Sequence, residues 1–101
     1  MIEVRTTEIF DAWIAKLRDD RAVAKIAVRL LRLSEGNPGD VKPVGEGVSE
    51  MRIEHGPGYR VYFKAFGAVL AVILCGGDKS RQAKDIAKAK RLAREIEPDA
   101  P

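Results

Sequence analysis

Residues 69–80 read Val-Leu-Ala-Val-Ile-Leu-Cys-Gly-Gly-Asp-Lys-Ser, an apolar run that passes through a glycine pair straight into a basic segment. The run is far shorter than the roughly 20 apolar residues a membrane-crossing helix needs. Because both of its faces are apolar, it reads as a strand buried on two sides. Gly76 and Gly77 are expected to let the backbone turn without a Cβ penalty. The junction of strand and basic helix is the expected place for function.

Upstream of that strand the period is two. Val48 to Glu54 alternates, with Met51 and Ile53 on one side and Glu50, Arg52 and Glu54 on the other. Gly56-Pro57-Gly58 marks a hairpin turn. Tyr59 to Phe66 follows as a strand with Tyr59, Val61, Phe63 and Ala65 facing one way and Arg60, Tyr62, Lys64 and Phe66 the other. Gly67 turns the chain into the central strand, Ala68 to Cys75. Ahead of these strands, residues 41 to 47 hold Pro43, Gly45 and Gly47 and read as a loop.

Nearer the N-terminus, Ile2 to Arg5 alternates as a short strand, and Thr7 is placed to cap a helix carrying Ile9, Phe10, Trp13, Ile14 and Leu17 on one stripe. Asp20 is the expected N-cap of a second helix with Val23, Ile26, Ala27, Leu30 and Leu33 on one face. Gly36-Asn37-Pro38-Gly39-Asp40 ends it. A last helix carries Ile86, Ala89, Ala93 and Ile96. The expected order is β-α-α-β-β-β-α: an α+β fold of two layers, with a helical hairpin on one face of a mostly antiparallel sheet and the third helix near its end. Glu50, Arg52, Arg60, Tyr62 and Lys64 are then left on the open face. Residues 1–97 are expected to form a single domain, and 98–101 a frayed tail.

The chain has 101 residues, 46% hydrophobic and 33% charged, the composition of an ordinary globular domain. Cys75 has no second cysteine to pair with and is expected to be a reduced core residue. Met-Ile-Glu-Val-Arg has no basic stretch followed by an apolar one, so a cytoplasmic location is expected. The net charge of +3 conceals an asymmetry. Lys79 to Ile96 holds seven basic residues against Asp85 and Glu95, a local charge of +5, so the remainder carries −2. This basic pole suits a polyanion or an acidic protein, and equally a solvated helix face.

Lys79-Ser80 after glycines invites comparison with a nucleotide-binding loop, but Asp78 precedes the lysine and Ile73 stands where the first glycine belongs. Asp78 or Ser80 instead caps a helix, whose free amides beside Lys79 and Arg81 suit a phosphate. Arg60-x-Tyr62-x-Lys64 forms a second group with Arg52 beside it. Cations and an aromatic ring in one row suit single-stranded RNA. The same row is also compatible with a solvated face in which Glu50 and Glu54 pair with the arginines. His55 is the only histidine, which disfavours a paired-histidine mechanism or a histidine metal site. Trp13 reads as core.

Met-Arg-Ile-Glu-His-Gly-Pro-Gly-Tyr-Arg-Val-Tyr-Phe (51–63), followed by Ile-Leu-Cys-Gly-Gly-Asp-Lys-Ser-Arg-Gln-Ala-Lys-Asp-Ile-Ala-Lys-Ala (73–89), resembles the RelE/ParE toxin superfamily, in particular its HigB-like, phage-derived addiction module killer branch. The resemblance implies the toxin of a type II toxin–antitoxin pair: a ribosome-dependent mRNA endonuclease acting through attack of a 2′-hydroxyl on the adjacent phosphate. By position, Arg60 and Lys79 would stabilise charge on the phosphate, and Arg52, Tyr62, Lys64 and Arg81 would hold RNA. His55 or Glu50 would help move the proton. The strand lysines of RelE have no clear counterpart between Met51 and His55, and its C-terminal tyrosine is absent. A helix-turn-helix antitoxin and ribosome-bound mRNA are the implied partners, with no membrane and no cofactor. The alternatives are a ParE-like gyrase inhibitor and a non-catalytic basic interaction domain.

Overall fold

The computed structural model describes residues 1–96, so the expected domain boundary at 97 and the tail 98–101 lie outside the described residues. The elements are β1 (Glu3–Thr6), α1 (Glu8–Lys16), α2 (Asp20–Ser34), β2 (Val41–Gly45), β3 (Val48–Ile53), β4 (Tyr59–Phe66), β5 (Leu70–Asp78), a short 3-10 turn over Lys79–Arg81, and α3 (Gln82–Arg94). The five strands form one mixed sheet in the order β1-β5-β4-β3-β2. β1 runs parallel to β5, and the other neighbours are antiparallel. The fold is α+β, as expected, with one strand more than the expected order.

That extra strand is β2, in the segment read as a loop. Pro43 has no N–H to give a ladder, but β2 lies at the sheet edge, where a strand tolerates proline. Glu46 (φ 54°) and Gly47 (φ 78°) supply the pair of left-handed residues that a tight two-residue hairpin requires between β2 and β3. At the start of α2 the cap is Asp19 rather than Asp20: its carboxylate accepts the Ala22 N–H at 3.0 Å. Thr7 caps α1 as expected, accepting from the Phe10 N–H at 3.0 Å.

The larger correction concerns layers. Phe10, Ala22, Ile26 and Leu33 from α1 and α2 pack on one sheet face against Met51, Ile53, Tyr59, Val61, Phe63, Ala71 and Ile73. The opposite face is not open, because α3 lies across it and buries Val48, Tyr62, Leu70, Val72, Leu74 and Cys75 beneath Ala89 and Ala93. The small alanine stripe lets the helix approach the sheet closely, and each large apolar side chain sealed this way contributes about 1.5–3 kcal/mol. The sheet is therefore the middle of three layers. This explains why β5 is apolar on both faces.

Gly76 and Gly77 make no turn. They are the seventh and eighth residues of the nine-residue β5, and neither needs a positive φ. A bulge between the Tyr62↔Cys75 and Phe63↔Ile73 pairs leaves Leu74 unpaired, so Leu74 and Cys75 both face α3. Past the bulge the two glycines admit close neighbours from opposite sides. A Cβ on Gly76 would lie 2.5 Å from the Trp13 ring, and one on Gly77 would overlap the Asp85 carboxylate.

Candidate functional site

Arg52 on β3 and Arg60 on β4 are direct cross-strand partners, and Arg60 is also paired with Gly77 near the end of β5. That register brings Lys79, just beyond β5, to the same corner. Arg52, Arg60 and Lys79 line an open depression of about 290 Å³ together with Asp40, Ile53, Glu54 and Gly58. Gly58 is needed at its rim: its φ is +82°, and a Cβ there would stand 3.0 Å from the Arg60 Nη1 and 3.6 Å from the Lys79 Cβ.

Like charges directly opposite on a sheet repel, and here the two guanidinium groups are only partly compensated. Arg52 Nη2 lies 3.1 Å from the Asp40 Oδ1, and Arg60 Nη1 donates to the Gly58 carbonyl at 2.9 Å. The Nε of each is buried without a hydrogen-bond partner. Asp40 is itself held by main-chain contacts: the Arg52 N–H donates to its carbonyl at 3.0 Å. Arg29 on α2 staples the region, donating to the Arg52 carbonyl at 2.6 Å and to the Pro38 carbonyl at 3.1 Å. Three cations gather here against the carboxylates of Asp40 and Glu54 at the rim and of Glu50 beneath Arg60, and guanidinium groups match a phosphate in charge and geometry.

Other residues expected at the site lie elsewhere. Tyr62 and Glu50 were expected on an open face, but α3 covers both and each is 0% exposed. The Tyr62 hydroxyl donates to the Glu50 Oε2 at 3.0 Å, and burial together with that carboxylate raises its pKa. Tyr62 therefore offers no ring to a base, and Glu50 has no access to a substrate proton. His55 is half-buried in the β3–β4 loop with its Nε2 3.2 Å from the Asp19 Oδ1, and it does not line the depression. The Ala22 N–H foremost holds the Asp19 carboxyl below its ordinary range, with the His55 and Tyr59 hydrogen bonds adding to it.

Lys64 stands four residues along β4 from Arg60, about 13 Å away at strand rise, with its Nζ 5.3 Å from the Phe66 ring centre. Arg81 is exposed in the 3-10 turn and does not line the depression. Of the two caps left open by the sequence, Asp78 takes the turn, accepting from the Ser80 N–H at 2.9 Å, and α3 itself begins without a side-chain cap. Asp40, Glu54 and Gly58 were not singled out as site residues. A surface ion pair between Glu54 and the arginines was one of the two alternatives open for the strand row, and no ion pair is formed by Glu54 among the described residues. Among those residues there is also no group of three or more His, Cys, Asp or Glu able to hold a metal ion. No helix among them is long and apolar enough to cross a membrane.

No protein-family profile matches the chain. The solution structure of a conserved hypothetical protein from Helicobacter pylori is similar at a TM-score of 0.48 and 15% identity, covering 79% of this chain and 97% of that one. A protein of Haemophilus influenzae, described only as uncharacterized, is 54% identical over 95 residues, which span 94% of this chain and 96% of the relative. The chain belongs to the same family as that Haemophilus influenzae protein.

Proposed function

We propose that the chain is a toxin of the RelE/ParE type that binds and cuts ribosome-bound mRNA, with the Arg52–Arg60–Lys79 depression as its phosphate site and a helix-turn-helix antitoxin as its partner. The observation that carries the reading is the cross-strand arginine pair, brought with Lys79 to the wall of one open depression. A phosphodiester placed there would relieve the repulsion between the guanidinium groups. As the 2′-oxygen attacks phosphorus, Arg60 and Lys79 would meet the charge that develops on the phosphoryl oxygens. Glu54 takes the place that Glu50 and His55 leave empty. It is the exposed carboxylate at the rim, free of any ion pair among the described residues, and so placed to accept the 2′-hydroxyl proton.

Cleavage of a defined mRNA on purified ribosomes tests this. Arg60→Ala and Lys79→Ala should each lower the rate about 10²-fold or more, and Glu54→Gln, which removes the base, should lower it by about 10²-fold or more as well. Wild-type protein that leaves translated mRNA intact would overturn the endonuclease reading. The seclusion of Glu50, Tyr62 and His55 favours a second reading, a ParE-like gyrase inhibitor that binds without RNA chemistry. Double-strand DNA breaks with intact mRNA on induction, unaffected by Arg60→Ala, would select it.

A further inference from the structure

Glu50 is sealed beneath α3, and its Oε2 gathers three neighbours from two elements. The Tyr62 hydroxyl on β4 donates at 3.0 Å, the Gln82 Nε2 in the first turn of α3 donates at 2.8 Å, and the Arg60 Nε on β4 stands 3.9 Å away. An ionised carboxylate is costly to bury unless donors and an opposite charge surround it. The two donors fix Oε2, since one is anchored in the sheet and the other in the helix. Oε2 is thereby a stationary negative point beneath the Arg60 guanidinium, while the Gly58 carbonyl holds that group's Nη1 at 2.9 Å. Two fixed points on one rigid plane determine how the guanidinium is presented to the depression.

We propose that Glu50 is a positioning residue: its buried carboxylate, anchored by Tyr62 and Gln82, orients Arg60 toward the phosphate of a single-stranded RNA. The proposal rests on the reading of the depression as an RNA phosphate site. Glu50 touches no ligand, and its role is exerted through Arg60. Because Gln82 opens α3, the seating of that helix on the sheet becomes a condition of the site's geometry. At 3.9 Å the Arg60–Glu50 pair is an ion pair and not a hydrogen bond.

Glu50→Gln keeps the side-chain shape and an oxygen for Tyr62 while removing the charge. Two readouts on the full chain test the proposal. The first is the Arg60 Nε–H resonance in 15N-labelled protein, identified by its loss in Arg60→Ala. It should be protected from solvent exchange in the wild type, and should shift and exchange faster in Glu50→Gln. Gln82→Ala, which leaves the charge and removes one anchor, should show the same change to a smaller degree, and it keeps the test open if Glu50→Gln fails to fold. The second is affinity for a single-stranded RNA hexanucleotide. Arg60→Ala should weaken it about tenfold, Glu50→Gln by a similar factor, and the double variant no further than Arg60→Ala alone.

An unchanged Arg60 resonance with unchanged affinity in Glu50→Gln would overturn the proposal. So would a loss that adds to that of Arg60→Ala. If the wild type does not bind the hexanucleotide, the RNA reading falls while the Arg60 resonance still decides whether Glu50 orients the guanidinium.

Discussion

Asp85 packs its carboxylate against Gly77 in the first turn of α3, with Oδ2 buried and unpartnered. Burial foremost raises its pKa, and Asp78 adds to this, against the opposing pull of Arg81 and Lys88. A carboxyl whose pKa is raised on folding weakens the native state wherever the group is ionised, and the penalty vanishes once the pH falls below the unfolded value near 4. Asp85→Asn should therefore raise the melting temperature at pH 7, and the gain should disappear near pH 3. Paired thermal melts at the two pH values check this; a gain that persists at low pH would mean a packing effect instead. Asp19 has the opposite sign: its lowered pKa stabilises above the unfolded value and that contribution is lost on acidification. Beside Asp85, burial raises the Cys75 thiol to about 11, so it stays protonated and inert at neutral pH.

At the scale of elements, β5 is pressed from both sides, and its two glycines are the points of closest approach. Gly76→Ala would drive a methyl into the Trp13 ring and should lose about 1–3 kcal/mol or more of unfolding free energy. Val69→Ala, at a side chain 70% exposed just ahead of β5, should stay within about 0.5 kcal/mol. Urea denaturation separates the two. Most elements were legible in the sequence because period two and helical spacing alternate cleanly from Ile2 to Ile96. Two readings failed for physical reasons. β2 was hidden by Pro43 and its flanking glycines, residues that break a central strand but suit an edge strand and its hairpin. α3 was expected near the end of the sheet and lies instead across its second face, where Ala89 and Ala93 let the helix come close. The two-sided apolar pattern of β5 already required a cover on each face.

For the whole molecule, charge and topology govern how the site would be used. If Arg52, Arg60 and Lys79 each neutralise one phosphate, affinity for single-stranded RNA should fall with salt at a log–log slope of about −2, and Arg52→Ala should make it shallower by about 0.7. Titrations between low and physiological salt measure this; an unchanged slope would place the contact on another basic surface, such as the outer flank of α3. The nearness of Arg52 to Arg60 was legible in the alternating strands, whereas Lys79 was joined to them only by the resemblance, since the register that brings it to their corner is not written in the sequence. The burial of Glu50 and Tyr62 was not, because an alternating row has two faces and only the placement of α3 decides which is wet. The parallel pairing of β1 with β5 has a kinetic side. Thr7 and Leu74 are 67 positions apart and joined by a hydrogen bond from the threonine hydroxyl at 2.6 Å. Such long-range closure is slow, and during synthesis β1 must wait for β5 to leave the ribosome. The same late strand brings Lys79 to the arginine pair, so in a nascent chain the depression stays unfinished until β5 and Lys79 have emerged.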